Sequence, residues 1–219
     1  MFYPVIDAPG SSSPTPALLN ALVYGMCLEP WHIAETLERL YPYKPPSRPR
    51  TVEALVALAC AGKSAPLKHL QTPLADGEYL LASDGATLHA AASTAPAGKY
   101  SRTGERIGDF PAGVERWRDT AAVGALGQGV PFADIKVEFG LSTCGKDYVR
   151  AVRVTLPDGE AITVQRAYYD RAITLPGRHV PVRVCILPNR APTLRVETTC
   201  GLAVIAGIRD PNEARHERS

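Results

Sequence analysis

Residues 52–61 form an apolar, Ala/Leu-rich run that carries one charge, Glu53. Such a run predicts a largely buried helix, and Gly62 stands where a helix commonly ends. The pattern then turns extended. Strands are predicted over residues 66–72, 78–83 and 86–93, and Asp84-Gly85 between the last two is a strong hairpin signal. Residues 95–120 are rich in Gly, Pro and charge and predict a loop. Alternation over residues 132–141 and 148–156 predicts two more strands, and Pro157-Asp158-Gly159-Glu160 turns the chain into a third at residues 161–164. Residues 165–175 predict a second helix, closed by Pro176-Gly177, and strands over 180–187, 193–198 and 202–208 follow.

A helix followed by three strands thus occurs twice, at about residues 53–93 and 165–208. The predicted fold is α+β: a duplicated α-β-β-β domain with antiparallel sheets and its helices on one face. Ahead of it, prolines cluster at residues 4–16 and 42–49 and flank helical patterns at 17–27 and 30–41, where Trp31, Ile33, Ala34, Leu37 and Leu40 share a face. Fixed φ and missing amides prevent regular structure within the clusters. The division expected is an N-terminal helical hairpin with proline-rich arms and linker over 1–50, the main domain over 51–209, and a disordered tail over 210–219. The hairpin is either an appendage packed on the domain or an arm for a partner.

A chain of 219 residues is long enough to bury a sizeable core, and 45% apolar with 21% charged residues excludes wholesale disorder and fibrous architectures. A net charge of +2 does not announce nucleic acid, so any basic surface is local. The longest apolar runs are about half of what a bilayer-spanning helix needs, so no membrane association is expected. The N-terminus lacks the basic region of a secretory signal, which makes the cytoplasm the expected location. Cys27, Cys60, Cys144, Cys185 and Cys200 are isolated and odd in number, which predicts free thiols.

Between Arg150 and Arg195 lie eight arginines and three acids, so the basic charge is concentrated there. The planar guanidinium suits phosphate. Two readings stand side by side: a phosphate-binding surface, or strand arginines paired with acids from residues 76–119. Tyr168 and Tyr169 either stack on bases or divide between core and rim, and Trp117 is either a stacking platform or an anchor for the long loop. The five histidines show no metal-ligand spacing, so no metal is expected. Gly124, Gly127 and Gly129 lack the Lys-Ser/Thr of a phosphate loop. Ser83, Asp84 and His89 lack a nucleophile elbow, and Asp84 is explained by the turn. No catalytic residue and no cofactor are expected.

Five strings carry a resemblance. Lys63-Ser64-Ala65-Pro66-Leu67-Lys68-His69-Leu70, followed by Tyr79-Leu80-Leu81-Ala82-Ser83-Asp84-Gly85-Ala86-Thr87-Leu88, resembles the bacterial sliding clamp, the beta subunit of DNA polymerase III. Residues 109–117, beginning Asp109-Phe110-Pro111, are similar to that family's crossing segment. Residues 164–173, with Tyr168-Tyr169-Asp170, are similar to its helix, and residues 201–209 to its closing strand. The resemblance covers residues 52–209, about one clamp domain, as in a divergent plasmid- or phage-type relative. A clamp chain has three such domains and closes a six-domain ring as a dimer, whereas this chain has room for one. The closing strand also departs, with Ala206-Gly207 in place of Met-Pro and residues 210–219 beyond it.

The resemblance implies a non-enzymatic accessory protein that binds DNA or the replication machinery, with a homo-oligomer as one way to surround DNA. The other reading is a protein-docking or inhibitory module, with a replication or host protein as partner and no DNA contact. In the family, paired helices line the DNA channel, which makes Arg166 and Arg171 DNA-binding candidates. Lys63 and Lys68 of the first string, and Arg116 and Arg118 beside Trp117, complete the set.

Overall fold

A computed structural model describes residues 42–208, apart from 113, 115–116, 121–125, 145–146 and 189–191. The expected N-terminal hairpin up to residue 41 and the expected tail after 208 lie outside the described residues. The first helix, α1 (Val52–Ala57), opens on Thr51, whose Oγ1 accepts from the Ala54 N–H at 3.2 Å. It is shorter than residues 52–61 because the bonds tighten to three-residue spacing after Ala57, as in Ala59 N–H to the Val56 carbonyl.

Residues 66–72, expected as a strand, instead hold a single 3-10 turn at Lys68–Leu70. Pro66 and Pro73 remove ladder donors at its ends, and the Gln71 amide bonds the Lys63 and Ala65 carbonyls, curling the segment into a loop. Pairing starts only at β1 (Leu74–Ala75). Next come β2 (Tyr79–Ser83) and β3 (Thr87–Ala92), a hairpin whose turn is shaped by Asp84: its Oδ1 accepts from Ala86 N–H at 2.9 Å and Thr87 N–H at 2.8 Å. Gly85 there has φ +93°, a conformation that a side chain disfavours.

The expected loop over 95–120 contains two short strands, β4 (Gly98–Tyr100) and β5 (Arg106–Gly108), and one helical turn, α2 (Trp117–Thr120). After β6 (Val130–Pro131) come three strands that form a second sheet, β7 (Lys136–Cys144), β8 (Asp147–Thr155) and β9 (Ala161–Gln165), with a single bridge from Val164 to Gly207. The second unit is α3 (Arg166–Ile173), β10 (Pro181–Leu187), β11 (Thr193–Thr198) and β12 (Gly201–Ala206).

The two units meet in one antiparallel nine-stranded sheet of order β5-β4-β1-β2-β3-β12-β11-β10-β6. From β1 to β10 the order is symmetric about the β3–β12 pair, in which His89 opposes Ala203 and Leu88 opposes Val204. The architecture is α+β with mostly antiparallel sheets, and none of the described helices is long and apolar enough to cross a membrane.

Alternation sends side chains to two faces of the large sheet. On one face, Leu80, Ala82 and Ala91 pack under Val56 and Ala59 of the first unit. On the same face, Val196, Ala203 and Ile205 pack with Tyr168, Tyr169 and Ala172 of α3 and with Val152, Val154 and Val164 of the small sheet. Each of the buried valine, leucine and isoleucine side chains among these contributes roughly 1.5–3 kcal/mol, and each alanine less. The other face presents Leu81, Leu88, Leu202 and Val204, against which Trp117 packs.

Candidate nucleic-acid interface

Four of the six basic candidates are described, and they fall into two groups. Arg166 and Arg171 stand on α3, five positions and so about 140° apart around the helix, and they reach different neighbours. Arg166 Nε lies 3.5 Å from Asp170 Oδ2 across one turn, and its guanidinium sits between two rings, 4.2 Å from the centroid of Tyr43 and 4.5 Å from that of Phe139. Arg171 Nη1 lies 3.8 Å from Asp84 Oδ2 in the β2–β3 turn, with its guanidinium 5.6 Å from the Tyr168 ring. This contact follows the reading in which these arginines pair with acids from residues 76–119.

Tyr43 closes the Arg166 site. Its hydroxyl donates to Asp170, and burial, reinforced by that carboxylate, holds its pKa well above the usual phenol range. Arg150 approaches the same ring at 5.6 Å. Five residues further on, Arg48 Nε donates to the Leu175 carbonyl at 2.6 Å and Nη2 to the Gly177 carbonyl at 2.5 Å, in the turn that follows α3. The segment between them has no helix or strand.

Lys63 and Lys68 form the second group, exposed in the loop after α1. Arg102 joins them by donating from Nη2 to the Ala61 carbonyl at 3.1 Å. The His69 ring lies 6.2 Å from Trp117, which brings α2 beside Lys68. Arg116 and the side chain of Arg118 fall outside what the structure describes.

The remaining arginines of the 150–195 stretch spread over several surfaces. Arg195 is 1% exposed, pairs with Glu197 at 2.9 Å and donates to the Gln128 carbonyl at 3.1 Å, while Glu197 accepts from the Gly127 N–H. Arg183 donates to the Gly129 carbonyl at 3.0 Å. Together they fasten residues 127–129 to β10 and β11. Arg153 and Arg178 are exposed. Among the described residues the local excess of charge in the sequence therefore spreads over several elements.

Tyr168 and Tyr169 are both buried, at 3% and 2% exposure, so neither offers a ring to a base and neither is the expected rim residue. The cause is that α3 is covered by the large sheet on one side and the small sheet on another. Burial and the neighbouring Asp170 push the Tyr169 hydroxyl up to about 12. Trp117 takes the anchoring role, packed on the outer face of the large sheet.

Ser83, Asp84 and His89 do not converge. The Ser83 hydroxyl donates to the Thr87 carbonyl at 2.7 Å, and His89 Nδ1 lies 3.0 Å from the Leu55 carbonyl. His89 is fully buried in a small cleft between the two helices, lined by Leu55, Val56, Ala172, Leu175 and Ala203. Burial holds its pKa below the usual 6.5, with Arg171 acting in the same direction and the Leu55 carbonyl and Asp84 opposing. Pattern reading had no signal for this placement, since a histidine among alanines on a strand looks the same facing either way. Among the described residues no group of three or more His, Cys, Asp or Glu side chains is placed to hold a metal, and Cys60, Cys144, Cys185 and Cys200 are free thiols. No protein-family model, curated protein or solved structure matches the chain.

Proposed function

We propose that the chain is a non-enzymatic, clamp-like accessory module that binds DNA within a replication assembly. The observation that carries this reading is the strand order, symmetric about β3–β12, with a helix from each unit over the same face. That is the arrangement expected if an α-β-β-β unit is duplicated, and it is what the resemblance to sliding clamps in residues 52–209 anticipates. A helix pair over one face would supply the DNA-facing surface, and Lys63 and Lys68 are exposed cations in the loop that follows its first helix. Contacts of this kind go to phosphates and carry no sequence preference. A single unit of this size surrounds a duplex only by assembling with further copies; otherwise it binds from one side.

Fluorescence anisotropy with two unrelated duplexes tests the reading. Affinity should fall linearly with salt on a log-log plot and be similar for both sequences, and Lys63→Ala with Lys68→Ala should flatten the slope by about 1.8 for two lost phosphate contacts. Unchanged affinity and slope in the folded double variant would remove this surface from the account.

A second reading, protein docking without DNA contact, is favoured by a different observation: Arg166 and Arg171 are already engaged inside the molecule. Val180 and Val182, 53% and 43% exposed beside the irregular pairing at the start of β10, would then belong to the docking surface.

A further inference from the structure

We propose that the outer edge of β7 is where a second copy of this chain docks, the two β7 strands pairing antiparallel about a twofold axis at Val137. No nucleic acid enters this inference, so it goes beyond the DNA-binding reading and stands or falls without it.

The edges of the large sheet are short: β5 has three residues and β6 two, one of them Pro131. In the small sheet, the β9 side is joined to Gly207 through Val164. The β7 side differs. It has nine residues, no proline and no bulge in its register with β8, and among the described residues no strand pairs with its other side. A straight edge of that length offers a row of N–H and C=O groups to a further strand unless it is shortened, bulged or covered. Phe139 is 49% exposed on this edge, although Val137 two positions away packs on the core around α3.

The order of residues along the edge is self-complementary. Ile135 is already extended, and from it the chain reads Ile135-Lys136-Val137-Glu138-Phe139, apolar residues alternating with one cation and one anion. In an antiparallel pair centred on Val137, Lys136 stands opposite Glu138 of the second copy, and Glu138 opposite its Lys136. On the other face Val137 meets Val137, and Ile135 meets the half-exposed Phe139. Other centres lose this match. Lys136 or Glu138 at the axis sets like charges against one another, Phe139 at the axis puts Glu138 opposite Gly140, and a one-residue slip sets Val137 opposite Glu138. Within one chain, Lys136 Nζ lies 3.0 Å from Glu138 Oε1, with the side chains 70% and 46% exposed. Pairing exchanges that contact in each copy for an equivalent one across the axis, so both charges stay compensated. The two small sheets then join as one sheet of six strands. Five residues a side make a small interface, so the dimer forms reversibly with protein concentration.

The test is the mass of the full chain without nucleic acid, by sedimentation equilibrium, from about 5 to about 200 µM protein. Wild type should rise from 23.5 kDa toward twice that value. Lys136→Glu and Glu138→Lys each set like charges opposite one another across the axis and should raise the Kd of the dimer about tenfold or more. Both alter exposed side chains, and circular dichroism checks that the fold is kept. Lys136→Glu together with Glu138→Lys should restore dimerisation. So should an equal mixture of the two single variants, because one copy then brings two acids and the other two lysines. A role of the pair within one chain does not give that last result. A mass of 23.5 kDa at every concentration would overturn the proposal and leave the edge to a strand of another protein. A dimer indifferent to both single substitutions would overturn it too, by placing the contact elsewhere.

Discussion

Asp84 terminates β2, shapes the hairpin through two backbone N–H groups and faces Arg171 from across the fold. Its side chain is 6% exposed, so removing it leaves those donors and a mostly buried guanidinium without their acceptor. Asp84→Ala should cost about 2–3 kcal/mol, and Asp84→Asn, which keeps the turn acceptor and loses the charge, about 1 kcal/mol. Urea unfolding with an unchanged m value checks both; no loss in Asp84→Asn would mean that Arg171 contributes nothing, and equal losses that the turn hydrogen bonds contribute nothing. His89 supplies a pH dependence whose sign is fixed. Its folded pKa lies below 6.5, so the unfolded chain binds more protons, and the stability present above pH 6.5 is lost as the pH falls below it. His89→Gln, whose amide can still donate to the Leu55 carbonyl, should lose less stability between pH 7.5 and 5 than wild type, and parallel profiles would contradict this assignment. The turn at Asp84-Gly85 was legible because its chemistry is local. The Asp84–Arg171 contact was legible only as one of two readings, and the buried His89 was not, because each depends on which face the distant helices cover.

At the scale of elements, the legible parts are those with a period. Strand β11 occupies residues 193–198 as its alternation predicts, and the helix over 165–175 is present as α3, trimmed at its ends. Strands β4 and β5 have three residues each, too few to show a period, and they lie hidden in a segment whose Gly, Pro and charge read as loop. Residues 42–50 lack regular structure, as their prolines require, yet their docking is not in the local pattern, because Tyr43 finds its partners at Phe139-flanked Arg166, at Arg150 and at Asp170. That docking has a consequence for proteolysis. Pro45 and Pro49 block trypsin after Lys44 and Arg48, so the bond after Arg50 is the susceptible one in this segment. Tyr43→Ala with Arg48→Ala should speed cleavage there while residues 52–93 stay intact. Equal rates in wild type and variant would mean that the two anchors do not restrain the segment, and primary cleavage within 52–93 would overturn the proposed division between 1–50 and 51–209.

For the whole molecule, the symmetric order of the nine-stranded sheet joins sequence-distant halves through β3 and β12, and it ties the function proposed to the fold. Each half reads as a helix and strands in the sequence, although the first strand expected in the earlier half, residues 66–72, is a loop with a 3-10 turn. The pairing of β3 with β12, which is what places both helices over one face, was not legible, because strand register between units is set by tertiary packing rather than by either unit alone. A net charge of +2 means that whole-molecule attraction to DNA is weak, so the proposed binding would have to rest on local cations such as Lys63 and Lys68. The central claim, a clamp-like module that binds DNA, is tested most directly by the solution mass of the full chain at 50 mM salt, with and without a 20-base-pair duplex, from light scattering on a sizing column. The account predicts a species heavier than the free protein by at least one duplex, and one that dissociates as salt is raised toward 200 mM. A protein mass unchanged by the duplex at 50 mM would contradict it.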